Sequence, residues 1–233
     1  MKIAIMGAME EEVEPLLAFL GDYKTVEVAD NKYYTAEYKG LELVIAYSKI
    51  GKVFASLTAS TMIQKFDAEK LLFSGVAGAI NPKLKIGDLI AATSLCQHDL
   101  DITAFGHPYG FVPEGRVFVD SDSELLATAK EVATQMGKPL LEGIIATGDQ
   151  FVADEVRKDW IGTTFKADAL EMEGASVAVV CDAFNVPFFI LRAISDTADM
   201  DAGFSFDAFL KSSAKESAEF IIAMLDKLVD DRA

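Results

Sequence analysis

Residues 169–196, A-L-E-M-E-G-A-S-V-A-V-V-C-D-A-F-N-V-P-F-F-I-L-R-A-I-S-D, decide the fold. The small-residue run Glu173 to Phe184 predicts a helix, and Pro187 to Ile194 predicts a strand. Phe188 to Leu191 is apolar without alternation, the mark of a strand buried on both faces. That strand runs into Arg192, Ser195 and Asp196, polar groups at its carboxyl end. Glu171 and Glu173 sit just upstream, where the helix should begin. In open α/β sheets ligands bind outside the carboxyl ends of the strands. The carboxylates gathered there exceed what solubility requires.

Upstream, the same strand-then-helix grammar repeats. Lys2 to Ala8 predicts a buried strand, and Met9 to Val13 starts a helix that continues to Leu20. Glu10, Glu11 and Glu12 fall in its first turn, where negative charge favours the helix dipole. One of them should point inward at the strand end, and spacing does not choose which. Lys32 to Tyr38 and Leu41 to Tyr47 predict a hairpin across Lys39-Gly40. Ile50-Gly51-Lys52 leads into a helix from Val53 to Lys65. It is not a phosphate-binding P-loop, because Ala46 stands where the first glycine is needed and no Ser or Thr follows the lysine. The first strand likewise lacks the second glycine of a dinucleotide fingerprint.

Lys70 to Phe73 predicts another strand, running into Ser74-Gly75-Val76-Ala77-Gly78. Such small residues make either a tight turn or a backbone that a ligand can approach closely. Gly87 to Leu95 predicts a strand, and Gln97 to Pro113 a long irregular segment carrying Phe105, Tyr109 and Phe111. Loops of that length serve as lids, binding loops or interfaces. Ser123 to Met136 predicts a helix with a Ser-Asp-Ser start and a stop at Gly137. Leu141 to Ala146 predicts a strand, followed by Thr147-Gly148-Asp149-Gln150-Phe151. Phe151 reads equally as a stacking residue or an ordinary core aromatic. A long helix from Phe206 to Val229 closes the chain. The alternation predicts one three-layer α/β domain over residues 1–233.

Charge narrows the partners. The 233 residues carry 21 basic and 37 acidic side chains, a net charge of −16. Nucleic-acid binding rests on Lys and Arg at phosphates, and anionic membranes attract basic segments, so both partners are disfavoured. No apolar run has membrane-spanning length. The opening M-K-I-A-I-M-G runs straight into acids, so no signal peptide and a cytoplasmic location are expected. Cys96 and Cys181 read as buried reduced thiols. The two histidines, His98 and His107, fit no metal-ligand pattern.

Carboxylates with separated proton affinities can break a glycosidic bond, one protonating the leaving group while another activates water. For a purine leaving group the proton goes to N7. Asp196, at the end of a buried strand, suits that task because desolvation favours its protonated form. One glutamate of the 10–12 run suits water activation. Glu173 suits a pair of ribose hydroxyls. The competing readings are a helix-start acid for Glu173 and a helix cap for Asp196.

Several blocks together resemble the 5′-methylthioadenosine/S-adenosylhomocysteine nucleosidases of the purine nucleoside phosphorylase-like superfamily. They are M-G-A-M-E-E-E-V (6–13), S-K-I-G-K-V (48–53), S-G-V-A-G (74–78), H-D-L-D-I-T-A-F-G (98–106), T-G-D-Q-F (147–151), E-M-E-G-A (171–175), V-P-F-F-I-L-R-A-I-S-D (186–196) and S-F-D-A-F-L (205–210). The resemblance implies a three-layer sandwich with a central mixed, partly barrel-like sheet flanked by helices. It implies hydrolysis of the N-glycosidic bond of 5′-thioadenosines, a small-molecule nucleoside substrate, and no cofactor or metal. Glu12 would activate water, Asp196 would protonate N7, and Ser195 would support Asp196. Glu173 would hold the ribose hydroxyls with Met172 against the sugar. Phe151 would stack on adenine, and the Val152 backbone would bond its edge. Met9, Ile50 and Phe206 would line the 5′-pocket, with Gly78 and Arg192 also in site motifs. Ile102, Phe105 and Pro113 would reach a neighbouring subunit's site, which implies a homodimer. Glu171 is left without a chemical task.

This chain has Val76 and Ala79 within G-V-A-G-A where many relatives read G-S-A-G-G, and Gln150 where a small residue is common. Val76 and Gln150 resemble the branch that also cleaves 6-amino-6-deoxyfutalosine in an alternative menaquinone pathway. A phosphorylase on the same fold would need an anion site. Of Arg116, Arg157, Arg192 and Arg232, only Arg192 lies in a site motif. A non-catalytic nucleoside sensor would not need a water-activating base.

Overall fold

The computed structural model describes residues 1–197 and 202–231. Arg232 and the side chains of Ser205 and Asp207 in the S-F-D-A-F-L block lie outside the described residues. The chain runs β1 (Lys2–Gly7), α1 (Glu10–Leu20), β2 (Lys24–Val28), β3 (Asn31–Tyr38), β4 (Leu41–Tyr47), α2 (Lys52–Phe66), β5 (Lys70–Ala79) and β6 (Leu89–Gln97). It continues with β7 (Val119–Asp120), α3 (Ser123–Met136), β8 (Leu140–Thr147), α4 (Glu155–Phe165), β9 (Ala169–Glu171), α5 (Gly174–Phe184), β10 (Phe188–Asp196) and α6 (Ala202–Asp230).

The strands form one sheet in the order β10-β6-β8-β9-β5-β1-β4-β3-β2, with β7 on β6. β10 also pairs with β5, which closes β5, β10, β6, β8 and β9 into a barrel. Parallel and antiparallel ladders mix within it: β10 runs parallel to β5 and antiparallel to β6. The open arm, β1-β4-β3-β2, contains the hairpin expected across Lys39-Gly40, between β3 and β4. Both turn residues have positive φ, +47° and +79°, as a two-residue hairpin with native twist requires.

Alternation along the strands builds the two flanking layers. Ala4 and Met6 of β1 pack with Ala55, Ala59 and Met62 of α2 and Ala175 and Ala178 of α5. Ile3 and Ile5 face the other way, with Val13 and Leu16 of α1, Leu125 and Val132 of α3, and Phe220 and Met224 of α6. α3 starts on Asp122, whose side chain accepts the Glu124 and Leu125 amides, and stops at Gly137 with φ +63°.

Several features differ from the sequence-based expectation, the strands β2 and β7 among them, which the sequence reading did not include. Ser74–Gly78 is not a turn; it lies inside the ten-residue strand β5. Small residues suit it there because β5 pairs with β1, β9 and β10 around the barrel. β9 escapes a periodicity reading because it has only three residues. α4 escapes because its sequence, E-V-R-K-D-W-I-G-T-T-F, is polar and interrupted by Gly162. Among the described residues no helix is long and apolar enough to cross a membrane. Cys96 and Cys181 are buried and free, and burial pushes both thiols up to about 12.

Candidate active site

The carboxyl ends of β1, β5 and β10 lie side by side, because β5 is parallel to both of the others. A cavity of about 290 Å³ opens there. Glu12, Glu171, Glu173 and Asp196 all line it. So do Met9, Ile50, Gly78, Phe151, Val152, Met172, Ser195 and Phe206. Sequence reasoning thus named most of the wall. Val76 and Gln150, the positions at which the chain departs from many relatives, line it too; Ala8, Ala77 and Leu170 complete it and carry no signal a sequence reader could separate from ordinary core positions.

Glu12 is the glutamate of its run that turns inward: it is buried, while Glu10 is exposed and Glu11 half-buried. Its Oε2 accepts the Ala8 amide at 2.5 Å and the Met9 amide at 3.1 Å. Its Oε1 accepts the Val76 amide at 3.0 Å. The side chain therefore reaches back over its own helix start and bridges β1 to β5. Burial raises its proton affinity, and Arg192 and the three amides offset part of that rise. Gly75 makes room for this carboxylate. A Cβ there would stand 2.7 Å from Glu12 Oε1 and 3.0 Å from Arg192 Nη1.

Glu171 is the residue that sequence reasoning left without a task. It is buried and ion-paired with the fully buried Arg192, Nη2 to Oε2 at 2.6 Å. The same oxygen accepts the Glu173 amide at 3.1 Å and the Gly174 amide at 2.7 Å, so Glu171 shapes the start of α5. Thr147 Oγ1 donates to its other oxygen. Arg192 lies behind the cavity wall, its guanidinium 4.0 Å from the centre of the Phe73 ring. The one advance signal for this pair was Arg192, a charge following an apolar run that reads as a buried strand. Glu173 is also buried, and its Oε1 accepts the Gly51 amide at 2.8 Å. Burial first, and then the neighbouring Glu171 charge, push its carboxyl up to about 8.

Asp196 is 3 % exposed and accepts the Ser195 hydroxyl on Oδ1 at 2.8 Å. The β10–β5 register shifts between Ile194 and Asp196, which places Asp196 opposite Gly78. Bulges of this kind re-aim side chains beside functional sites. Phe151 and Phe206 meet edge to face at 5.7 Å. Phe151 is half exposed, whereas Val152 is buried. Ile102, Phe105 and Pro113 do not line this cavity; they lie on the loop after β6, and Phe105 is 81 % exposed.

The phosphorylase superfamily profile matches residues 2–228, and the chain belongs to that superfamily. It is 60% identical over 228 residues to the aminodeoxyfutalosine nucleosidase of Campylobacter jejuni, covering 98% of this chain and 100% of that one. It is 38% identical over 229 residues to the 5′-methylthioadenosine/S-adenosylhomocysteine nucleosidase of Actinobacillus succinogenes, covering 98% and 100%. The native structure of the futalosine hydrolase of Helicobacter pylori superposes with a TM-score of 0.96 at 50% identity, covering 97% of each chain.

Proposed function

We propose that this chain is a nucleosidase that hydrolyses the N-glycosidic bond of 5′-substituted adenosines. Its substrates are 5′-methylthioadenosine, S-adenosylhomocysteine, 5′-deoxyadenosine and 6-amino-6-deoxyfutalosine, and its products are adenine and a 5-substituted ribose. One observation carries the reading. Buried carboxylates from the starts of α1 and α5 and from the end of β10 converge on one cavity, and no Lys or Arg is among the described residues that line it. Phosphate would meet negative charge there, whereas water can be deprotonated.

In this mechanism Asp196, held by Ser195, gives a proton to N7 as the C1′–N9 bond breaks. The electron pair of that bond leaves with adenine, and the sugar acquires oxocarbenium character. Glu173 holds the ribose hydroxyls. Glu12 takes a proton from the water whose oxygen bonds to C1′. General acid–base steps of this kind contribute roughly 10²–10⁴-fold each. Phe151 stacks on adenine, the Val152 backbone bonds its edge, and Met172 packs on the sugar. Met9, Ile50 and Phe206 receive the 5′-substituent. The whole chain acts as one domain, in the cytoplasm.

The active form is a homodimer in which Ile102, Phe105 and Pro113 complete the neighbouring pocket. Val53, Phe54 and Leu57 support this reading: they sit on one face of α2 and are 76%, 45% and 44% exposed. Contiguous exposed apolar side chains of this kind mark interaction surfaces.

Turnover with and without inorganic phosphate tests the activity. We expect adenine and free 5-substituted ribose at the same rate in both. Strict phosphate dependence with a ribose 1-phosphate product would overturn the hydrolase reading. Comparing kcat/KM on the candidate nucleosides then ranks them, since apolar pockets discriminate weakly.

A further inference from the structure

Three residues from separate segments close a ring beside the cavity. Lys52, the first residue of α2, donates from Nζ to Asp99 Oδ1 at 2.7 Å and to Gln97 Oε1 at 3.0 Å. Asp99 Oδ2 accepts the Asp149 amide at 2.8 Å. Asp149 Oδ1 accepts the Lys52 amide at 2.8 Å. Each of the three therefore bonds both of the others. The Lys52 and Asp99 side chains are only 18% and 17% exposed. Burial alone would raise the Asp99 carboxyl, but Lys52 and the Asp149 amide outweigh it and hold the group below the usual carboxylate range.

The ring holds Gly51. This residue has φ +100° and ψ 159°, a conformation that favours glycine. A Cβ on it would stand 3.0 Å from Asp149 Oδ1. In that conformation the Gly51 amide donates to Glu173 Oε1 at 2.8 Å. Asp149 fixes the very next amide, so Gly51 cannot turn away from Glu173 while the ring is closed. One oxygen of Glu173 is thereby pinned, which sets the direction of the other.

We propose that Lys52, Asp99 and Asp149 form a positioning ring that aims Glu173 at the ribose hydroxyls through the Gly51 amide. The proposal rests on the reading of Glu173 as the ribose-binding acid. None of the three lines the cavity, so they act through Glu173 and not by touching substrate. Such indirect control is effective because a misplacement on the order of 1 Å costs about 10²-fold in rate.

The test uses purified full-length Lys52→Met and Asp99→Asn on 5′-methylthioadenosine and on its 2′,3′-dideoxy analogue, with Glu173→Gln in parallel. Each variant is compared with the unsubstituted chain on the same compound. We expect kcat/KM to fall by roughly 10- to 100-fold on 5′-methylthioadenosine and by less than about threefold on the 2′,3′-dideoxy analogue. Lys52→Arg, which keeps a donor, should recover most of the loss. Asp99→Asn is isosteric and decides the matter if Lys52→Met fails to fold. Equal losses on both compounds, or no loss, overturn the ring while Glu173→Gln still distinguishes them. If Glu173→Gln does not distinguish the two compounds, the ribose role of Glu173 fails first and the ring with it.

Discussion

Replacing Gly75 with alanine puts a methyl group against the proposed water-activating acid. The new Cβ would lie 2.7 Å from Glu12 Oε1, where ordinary contact begins near 3.4 Å, so the carboxylate must retreat by about 0.7 Å. Arg192 Nη1, at 3.0 Å from the same point, blocks one line of retreat. Moving Oε1 that far breaks the 3.0 Å bond from the Val76 amide. The backbone is not at issue, because Gly75 lies inside β5 and has no left-handed φ. A displacement of that size predicts a fall in kcat of about 10²-fold, equivalent to roughly 2.7 kcal/mol of transition-state stabilisation. Overpacking costs the fold about 1–3 kcal/mol, a drop of a few degrees in Tm. Single-turnover adenine release measures the first effect and thermal denaturation the second. A folded Gly75→Ala protein with kcat within about threefold of the unsubstituted chain would refute the reasoning, since Glu12 would then tolerate the shift.

Other substitutions probe the surrounding network. Glu171→Gln strands the buried Arg192 charge and should destabilise the fold by about 3–5 kcal/mol, with much of the loss restored when Arg192→Met is added. Thermal denaturation measures both, and an unchanged Tm for the single variant would remove the ion pair from any structural role. Glu173 has a folded-state carboxyl near 8 against an ordinary value of 4.5, so the fold takes up a proton between those limits. Its contribution to stability is complete below about pH 4.5 and is lost as pH rises towards 8, at no more than about 1.4 kcal/mol per pH unit. Urea unfolding of Glu173→Gln should lack that decline, and parallel pH profiles would contradict it. Val53→Glu places a charge on the exposed apolar face of α2 and should yield a monomer of reduced activity by sedimentation velocity. A variant that sediments like the unsubstituted chain argues against a dimer through that face.

The longer strands of the barrel, β5, β6, β8 and β10, and most core-facing helices could be read from the chain because their apolar residues form runs or recur with the local periods of strand and helix. Asp122 and Gly137 announced α3 by cap chemistry, and Lys39-Gly40 announced a hairpin by turn chemistry. Glu173 and Asp196 stood out as carboxylates beside a run too apolar to be a surface segment. Glu171 did not, because a charge next to another charge looks like a solvated helix start until its partner is known. That partner, Arg192, lies 21 residues away in sequence. The ring of Lys52, Asp99 and Asp149 was equally invisible, since its members are separated by 47 and 50 residues.

The sequence by itself determined the alternation of strand and helix, the rim on which the acids collect, and the family to which the blocks belong. The first two follow from side-chain period, cap and turn chemistry, all short-range properties of the chain, and the third from the resemblance of the collinear blocks. Only the tertiary structure decided which of three consecutive glutamates turns inward and which acid is neutralised by Arg192. It also decided that Ser74–Gly78 is strand and not turn. Those outcomes depend on what lies across space from each residue. The pairing of β10 with β5 closes the barrel and brings Gly75, Glu12 and Arg192 within contact distance.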